Sequence, residues 1–253
     1  METKLTEKMA EKIIRSKVIA SDVDGTLVPS VALAAPSLIR QELRNGRYLS
    51  AAAELLGGML IYSGFELQRP FRNALDTENW ALSNYHKLLR VSGVKKEVLQ
   101  GVMRRFVEAR EYSGAGDAIA ALRSTGAEKK MLVLVSTGAS VNVEVLQQRY
   151  SADSIICNET HYDDKERIRY VSVKIGTSID KLKFLKDKLD WHGIRLKDVV
   201  YLGNSMEDLP FKDRVALFIA APSSERRIGE LADLHPASFT ELVKELNRRS
   251  ISK

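Results

Sequence analysis

The chain has 253 residues, 44% hydrophobic and 28% charged, enough apolar mass for one large domain or two small ones. No apolar run reaches the roughly 18 residues of a membrane-spanning helix, and a single cysteine, Cys157, excludes an internal disulfide and gives no zinc pattern. The net charge of +6 is concentrated in residues 28–115, where twelve basic face eight acidic side chains, yet no run of like charges or basic–aromatic stripe marks a nucleic-acid surface.

The N-terminal METKLTEKMAEKIIRSK is charged, helix-prone and without the apolar centre of a signal peptide, so a soluble, cytoplasmic protein is expected. Residues 18–22 read as a short buried strand, Val18-Ile19-Ala20 leading into two acids, Asp22 and Asp24. From about 36 to 112 the pattern is helical and strand-poor. Leu38, Ile39 and Leu43 form one stripe, Leu49, Ala53, Leu56 and Leu60 a second, and Val94, Val98, Val102, Phe106 and Val107 a third. Gly57-Gly58, Ser63-Gly64 and Pro70 separate these helices. Trp80 and Tyr85 are expected inside this segment, and Arg40, Arg44, Arg47, Arg69 and Arg72 on a solvated face.

After Gly114 the texture changes. GDAIAALRSTG predicts a helix ended by Gly126, MLVLVS (131–136) a strand, and STGAS the entry to a helix reaching about 150. SIIC (154–157) predicts a short strand, with Cys157 in the core. THYDDKERIRYVSV follows as a hairpin turning near Asp163-Asp164-Lys165. A helix over 178–189, strands over 199–203 and 215–220, and two helices within 224–249 complete the chain. His86, His161, His192 and His235 are scattered without ligand spacing and are expected at the surface.

Apolar strands alternating with helices indicate a parallel sheet covered on both faces. The predicted fold is therefore an α/β, Rossmann-like core built from residues 1–28 and 113–253. A helical cap, 29–112, is inserted after the first strand.

In such a sheet ligands bind beyond the carboxyl ends of the strands. Asp22 and Asp24 follow the strand at 18–21, Ser136, Thr137 and Gly138 that at 131–135, and Asn204, Glu207 and Asp208 that at 199–202. Lys181 stands near the start of the helix between the last two. Each cluster alone has an ordinary role as a turn, a helix cap or a solvated lysine. Together they suit phosphoryl transfer. One carboxylate attacks phosphorus and a second, two residues on, carries the proton. A hydroxyl and backbone N–H groups hold phosphate oxygens, a lysine balances their charge, and a hard cation such as Mg²⁺ relieves the crowded anions.

DVDGT, STG, the Lys181 region and GNSMED, in this order, resemble the four motifs of the haloacid dehalogenase (HAD) superfamily. YSGAGDAIAALRSTG and the stretch from Ser151 to Val173 are similar to phosphoserine-phosphatase-like members, and the cap position resembles the helical C1 type. The resemblance implies a Mg²⁺-dependent phosphatase acting on a small phosphate monoester, without nucleic-acid or membrane partners. Asp22 corresponds to the nucleophile, Asp24 to the general acid/base, Ser136 to the phosphate-binding hydroxyl and Lys181, with Lys183 as a substitute, to the third-motif lysine. The family's Mg²⁺ is held by the nucleophile, the carbonyl of the second Asp and the first fourth-motif acid. Here these positions are Asp22, Asp24 and Asn204, and Asp208 or Glu207 offers a further acid. Asn204 replaces that acid, so weaker Mg²⁺ binding is expected. VPSVALAAP also lacks the glutamate with which phosphoserine phosphatases recognise their amino acid. Two alternatives stay open: a catalytically weakened protein that binds a phospholigand, and a phosphotransferase or mutase on the same core.

Overall fold

The computed structural model describes residues 3–30, 34–49, 51–52, 55–57, 60 and 93–251. Its described elements run α1 (Glu7–Arg15), β1 (Val18–Ser21), α2 (Ala35–Arg44), α3 (Lys96–Arg110), α4 (Ala115–Ser124), β2 (Met131–Ala139) and α5 (Ser140–Tyr150). They continue with β3 (Ser154–Tyr162), β4 (Ile168–Ser172), α6 (Ser178–Asp190), β5 (Val199–Gly203), β6 (Leu217–Ala220), α7 (Arg226–Leu231) and α8 (Phe239–Ile251). Six strands form one sheet in the order β4-β3-β2-β1-β5-β6. All neighbours are parallel except β3 and β4, which are antiparallel at one edge.

The apolar strands are buried on both faces because successive side chains alternate between them. Ile19, Leu132, Leu134, Val200, Leu202 and Ile219 point into one cluster, shared with α1, α3, α4, α5 and α8. Val18, Ala20, Val133, Val135, Val199, Tyr201 and Phe218 point into the other, closed by Leu182, Leu185 and Leu189 of α6 and by Ile228 of α7. This is the Rossmann-like, doubly covered α/β sheet expected from the sequence.

The strand read as SIIC is longer, running to Tyr162. Its second half, Glu159–Tyr162, pairs with β4 across the expected hairpin, so strand and hairpin are continuous. Leu99, Val102, Met103, Phe106 and Val107 of α3 are buried in the same cluster as α5 and the sheet, so no break in packing separates α3 from the core. In α2 the buried face is Leu38 and Glu42 rather than Leu38, Ile39 and Leu43, with Leu43 exposed. Glu42 is fully buried and pairs with Arg47 at 3.1 Å. Leu49, Leu56 and Leu60, members of the second helical stripe, are exposed. Ala53, Gly58, Ser63, Gly64, Arg69, Pro70, Arg72, Trp80, Tyr85 and His86 lie outside the described residues. Cys157 is partly buried against the core, as its apolar strand implied. Among the described residues no helix is long and apolar enough to cross a membrane.

Candidate active site

β1 lies between β2 and β5, at the centre of the sheet where the strand order reverses. In doubly wound sheets this reversal is where ligands bind, beyond the carboxyl ends of the strands. The Asp22 N–H still donates to Leu202 O, so the first acid leaves β1 with its backbone fixed by the neighbouring strand. The chain then turns tightly. Gly25 takes φ +77° and its N–H donates to Val28 O, while Thr26 and Leu27 N–H both donate to Val23 O. A Cβ on Gly25 would collide with the Asn204 side-chain amide, so this position needs glycine both for its backbone angle and for close approach.

Three further loops meet this turn. Between Val135 and Ala139 the β2–β3 pairing slips register, and Ser136, Thr137 and Gly138 occupy the irregularity. Ser136 Oγ accepts the Gly138 N–H at 2.9 Å. A Cβ added to Gly138 would sit 3.8 Å from Asp24 Oδ2, which puts this loop beside the second acid. Thr177 and Asp180 form a capping box that starts α6. The first turn of that helix then carries Lys181 inward, while Lys183 is exposed. At the end of β5, the Gly203 backbone presses against Asp208, a Cβ there meeting the Asp208 side chain at 2.7 Å.

These loops bring together residues remote in sequence. Lys181 Nζ donates to Asp22 Oδ1 at 2.7 Å and lies 3.6 Å from Asp208 Oδ1. All three groups are buried: Asp22 is 4% exposed, Lys181 3% and Asp208 0%. Thr26 Oγ1 lies 3.0 Å from Asp22 Oδ2 and 2.9 Å from a side-chain atom of Asn204. Burial pushes the Asp22 carboxyl up to about 7, with Lys181 pulling against that shift and Asp208 and Asp24 adding to it. Burial opposes the Lys181 ammonium, but Asp22 and Asp208 outweigh it and raise its pKa.

Three residues that sequence reasoning did not single out hold this arrangement. Tyr201, fully buried on β5, donates its hydroxyl to Asp208 Oδ1 at 2.9 Å. Asp208 Oδ2 accepts from Asn204 N, Ser205 N and Ser205 Oγ at 3.0–3.3 Å. Both Asp208 oxygens therefore face protein donors. Asn158, fully buried on β3, donates to Thr137 O (2.6 Å) and Ile175 O (2.9 Å) and accepts from Lys174 and Ile175 N–H (2.8 and 2.9 Å). It ties the Ser136–Gly138 loop to the approach of α6. Thr26, the third, links Asp22 to Asn204. A polar residue inside an apolar strand was the available signal for Tyr201 and Asn158.

Among the described residues no three His, Cys, Asp or Glu side chains converge as a metal-binding group. The oxygen donors at the centre are instead mixed. The inward side-chain atom of Asn204 lies 3.2 Å from the Asp24 main-chain oxygen and 3.3 Å from Asp22 Oδ2. One carboxylate, one carbonyl and one amide form a hard donor set that fits Mg²⁺, with one charge fewer than a set holding two carboxylates.

The family model for haloacid dehalogenase-like hydrolases matches residues 19–212. Among solved structures, a substrate-bound phosphoserine phosphatase complex aligns with a TM-score of 0.60 at 19% identity, covering 90% of this chain and 97% of that one. A phospho-aspartyl intermediate analogue of phosphoserine phosphatase aligns at 0.61 and 20% identity, covering 91% and 98%. A HAD family hydrolase from Salmonella enterica serovar Typhi gives 0.64 at 18% identity, covering 90% and 70%. At these identities the likeness is one of fold. A cation-transporting P-type ATPase B of Mycobacterium leprae is 34% identical over 122 residues, 46% of this chain and 16% of that protein. The chain thus spans about a sixth of that relative's length.

Proposed function

This chain belongs to the haloacid dehalogenase-like hydrolases, and from that premise we propose that it is a phosphatase hydrolysing a small phosphate monoester through an aspartyl-phosphate. The observation that carries this reading is the buried Asp22–Lys181 contact of 2.7 Å at the end of the central strand, with Asp24 beside the Ser136–Gly138 loop. The Asp22 carboxylate attacks phosphorus, and the bond to the ester oxygen breaks as Asp24 delivers a proton to it. Asp24 then takes a proton from the water that attacks the aspartyl-phosphate, which releases phosphate and restores Asp22. Ser136, the Thr137 and Gly138 backbone and the Lys181 ammonium bind and orient the phosphoryl oxygens. Mg²⁺, held by Asp22, the Asp24 carbonyl and Asn204, would supply positive charge against the phosphoryl oxygens. Asp208 fixes the fourth-motif loop and Lys181 from behind.

The segment 29–112, expected from its sequence to be a helical cap, is proposed to cover this site and select the leaving group. Its start, residues 28–36, has no acid to pair with an amino group, so phosphoserine is not the proposed substrate. The test is phosphate release from p-nitrophenyl phosphate and a panel of phosphorylated metabolites. Mg²⁺-dependent turnover that disappears in Asp22→Asn is expected, and no turnover of any panel member would overturn the reading. One observation, Asn204 in place of an acid, favours a second reading: a protein that binds phosphoesters with little turnover. Binding without turnover in both the wild type and Asn204→Asp would establish it.

A further inference from the structure

The Asn204 side chain ends in an oxygen and a nitrogen, and its surroundings distinguish them. The inward atom lies 2.9 Å from Thr26 Oγ1, 3.2 Å from Asp24 O and 3.3 Å from Asp22 Oδ2. All three neighbours are oxygens. The single Thr26 hydroxyl proton is also within reach of Asp22 Oδ2, at 3.0 Å. With Oδ1 inward, four oxygens would share that one proton and most of these contacts would be repulsive. With Nδ2 inward, its two protons serve Asp24 O, Asp22 Oδ2 and Thr26 Oγ1, and the Thr26 proton passes to Asp22 Oδ2.

The oxygen-inward arrangement needs a cation. Oxygens bound side by side to Mg²⁺ at about 2.1 Å lie about 3 Å apart, close to the separations around Asn204. An aspartate at 204 would offer no donor to replace the cation. Its carboxylate would stand against Asp22 and the Asp24 carbonyl whenever the metal was absent.

We infer that Asn204 gives this site two exclusive fillings, the amide nitrogen turned inward in the metal-free protein and the amide oxygen turned inward around a divalent cation. The chain is thereby stable without metal, and a cation must displace a satisfied amide to enter. This rests on the reading of Asp22, Asp24 and Asn204 as the cation-facing residues, but its test does not use phosphatase activity.

Mg²⁺ binding is measured by calorimetry, and thermal midpoints are compared in EDTA and in excess Mg²⁺, for the wild type and Asn204→Asp. The wild-type midpoint is expected to be nearly independent of the metal. Asn204→Asp should melt lower in EDTA, rise past the wild type in Mg²⁺ and bind Mg²⁺ at least about tenfold more tightly, because ligand charge sets affinity. A substituted protein that melts like the wild type in EDTA and binds Mg²⁺ no more tightly would overturn the inference. Should Asn204→Asp not fold without metal, the wild type alone decides. In EDTA, its ¹⁵N-labelled Asn204 side-chain NH₂ should exchange with water more slowly than a solvent-exposed amide. Exchange at the exposed rate would overturn the inference. A protein lacking all phosphatase activity would overturn the preceding proposal instead, leaving this measurement intact.

Discussion

Replacing Tyr201 by Phe removes one oxygen from the fully buried pair behind the site. The Tyr201 ring stacks on Phe211 with centroids 3.8 Å apart and lies 6.0 Å from the Phe218 centroid, contacts that a phenyl ring retains. What is lost is the 2.9 Å hydrogen bond to Asp208 Oδ1. That oxygen would keep only the 3.6 Å approach of Lys181 Nζ among its described partners. A hydrogen bond to a charged group contributes about 1.5–3 kcal/mol net, and the Asp208 carboxylate stays buried. The expected loss is about 2 kcal/mol. For a chain of this size that lowers the thermal midpoint by roughly 4–8 °C. Urea unfolding in EDTA should show the same loss as a lower midpoint with an unchanged slope, because the exposed surface does not change. kcat should fall as well, since Asp208 helps hold Lys181 against Asp22. A Tyr201→Phe protein within about 0.5 kcal/mol of the wild type, the range of a neutral surface substitution, would refute the argument that this hydroxyl anchors Asp208.

Asn158→Leu fills a similar volume but leaves Thr137 O, Ile175 O and the Lys174 and Ile175 N–H groups without their partner. At about 1–3 kcal/mol for each unsatisfied buried group, a loss of several kcal/mol is expected in chemical denaturation, and retention of wild-type stability would show that these groups find other partners. Burial pushes the Cys157 thiol up to about 12. A raised thiol pKa depletes the thiolate at neutral pH, so iodoacetamide alkylation of the native protein should be slow at pH 8 and climb about tenfold per pH unit without a plateau. Mass spectrometry should find rapid labelling only in denaturant; a native rate that levels off near pH 9 would contradict the assignment.

The sheet was legible because its strands are apolar on both faces, a pattern with few other uses. Asp22, Asp24, Ser136, Lys181 and Asn204 were legible as candidates because each follows or adjoins a strand end where such folds collect ligands. The stripe through Leu49, Leu56 and Leu60 is exposed, and its spacing could not say so, since helical spacing tells which residues share a face and not whether that face is covered. SIIC was cut short for a related reason. β3 changes partners midway, from a parallel neighbour buried on both sides to an antiparallel edge strand, so its apolar signal ends before its hydrogen bonding does.

The sequence by itself determined the parallel sheet, the order of the polar clusters and the presence of Asn where an acid was expected. Tertiary structure alone decided which atoms meet. Asp22 and Lys181 are 159 positions apart, and Thr26 and Asn204 are 178 apart. They touch because β1 is hydrogen-bonded to β2 on one side and β5 on the other, which sets loops from distant parts of the chain around its carboxyl end. No local pattern distinguishes Lys181 from Lys183, gives Tyr201 a carboxylate to hold, or turns the Asn204 nitrogen toward three oxygens. Those outcomes depend on side-chain direction at ångström scale, which is fixed only when the strands and loops pack against one another.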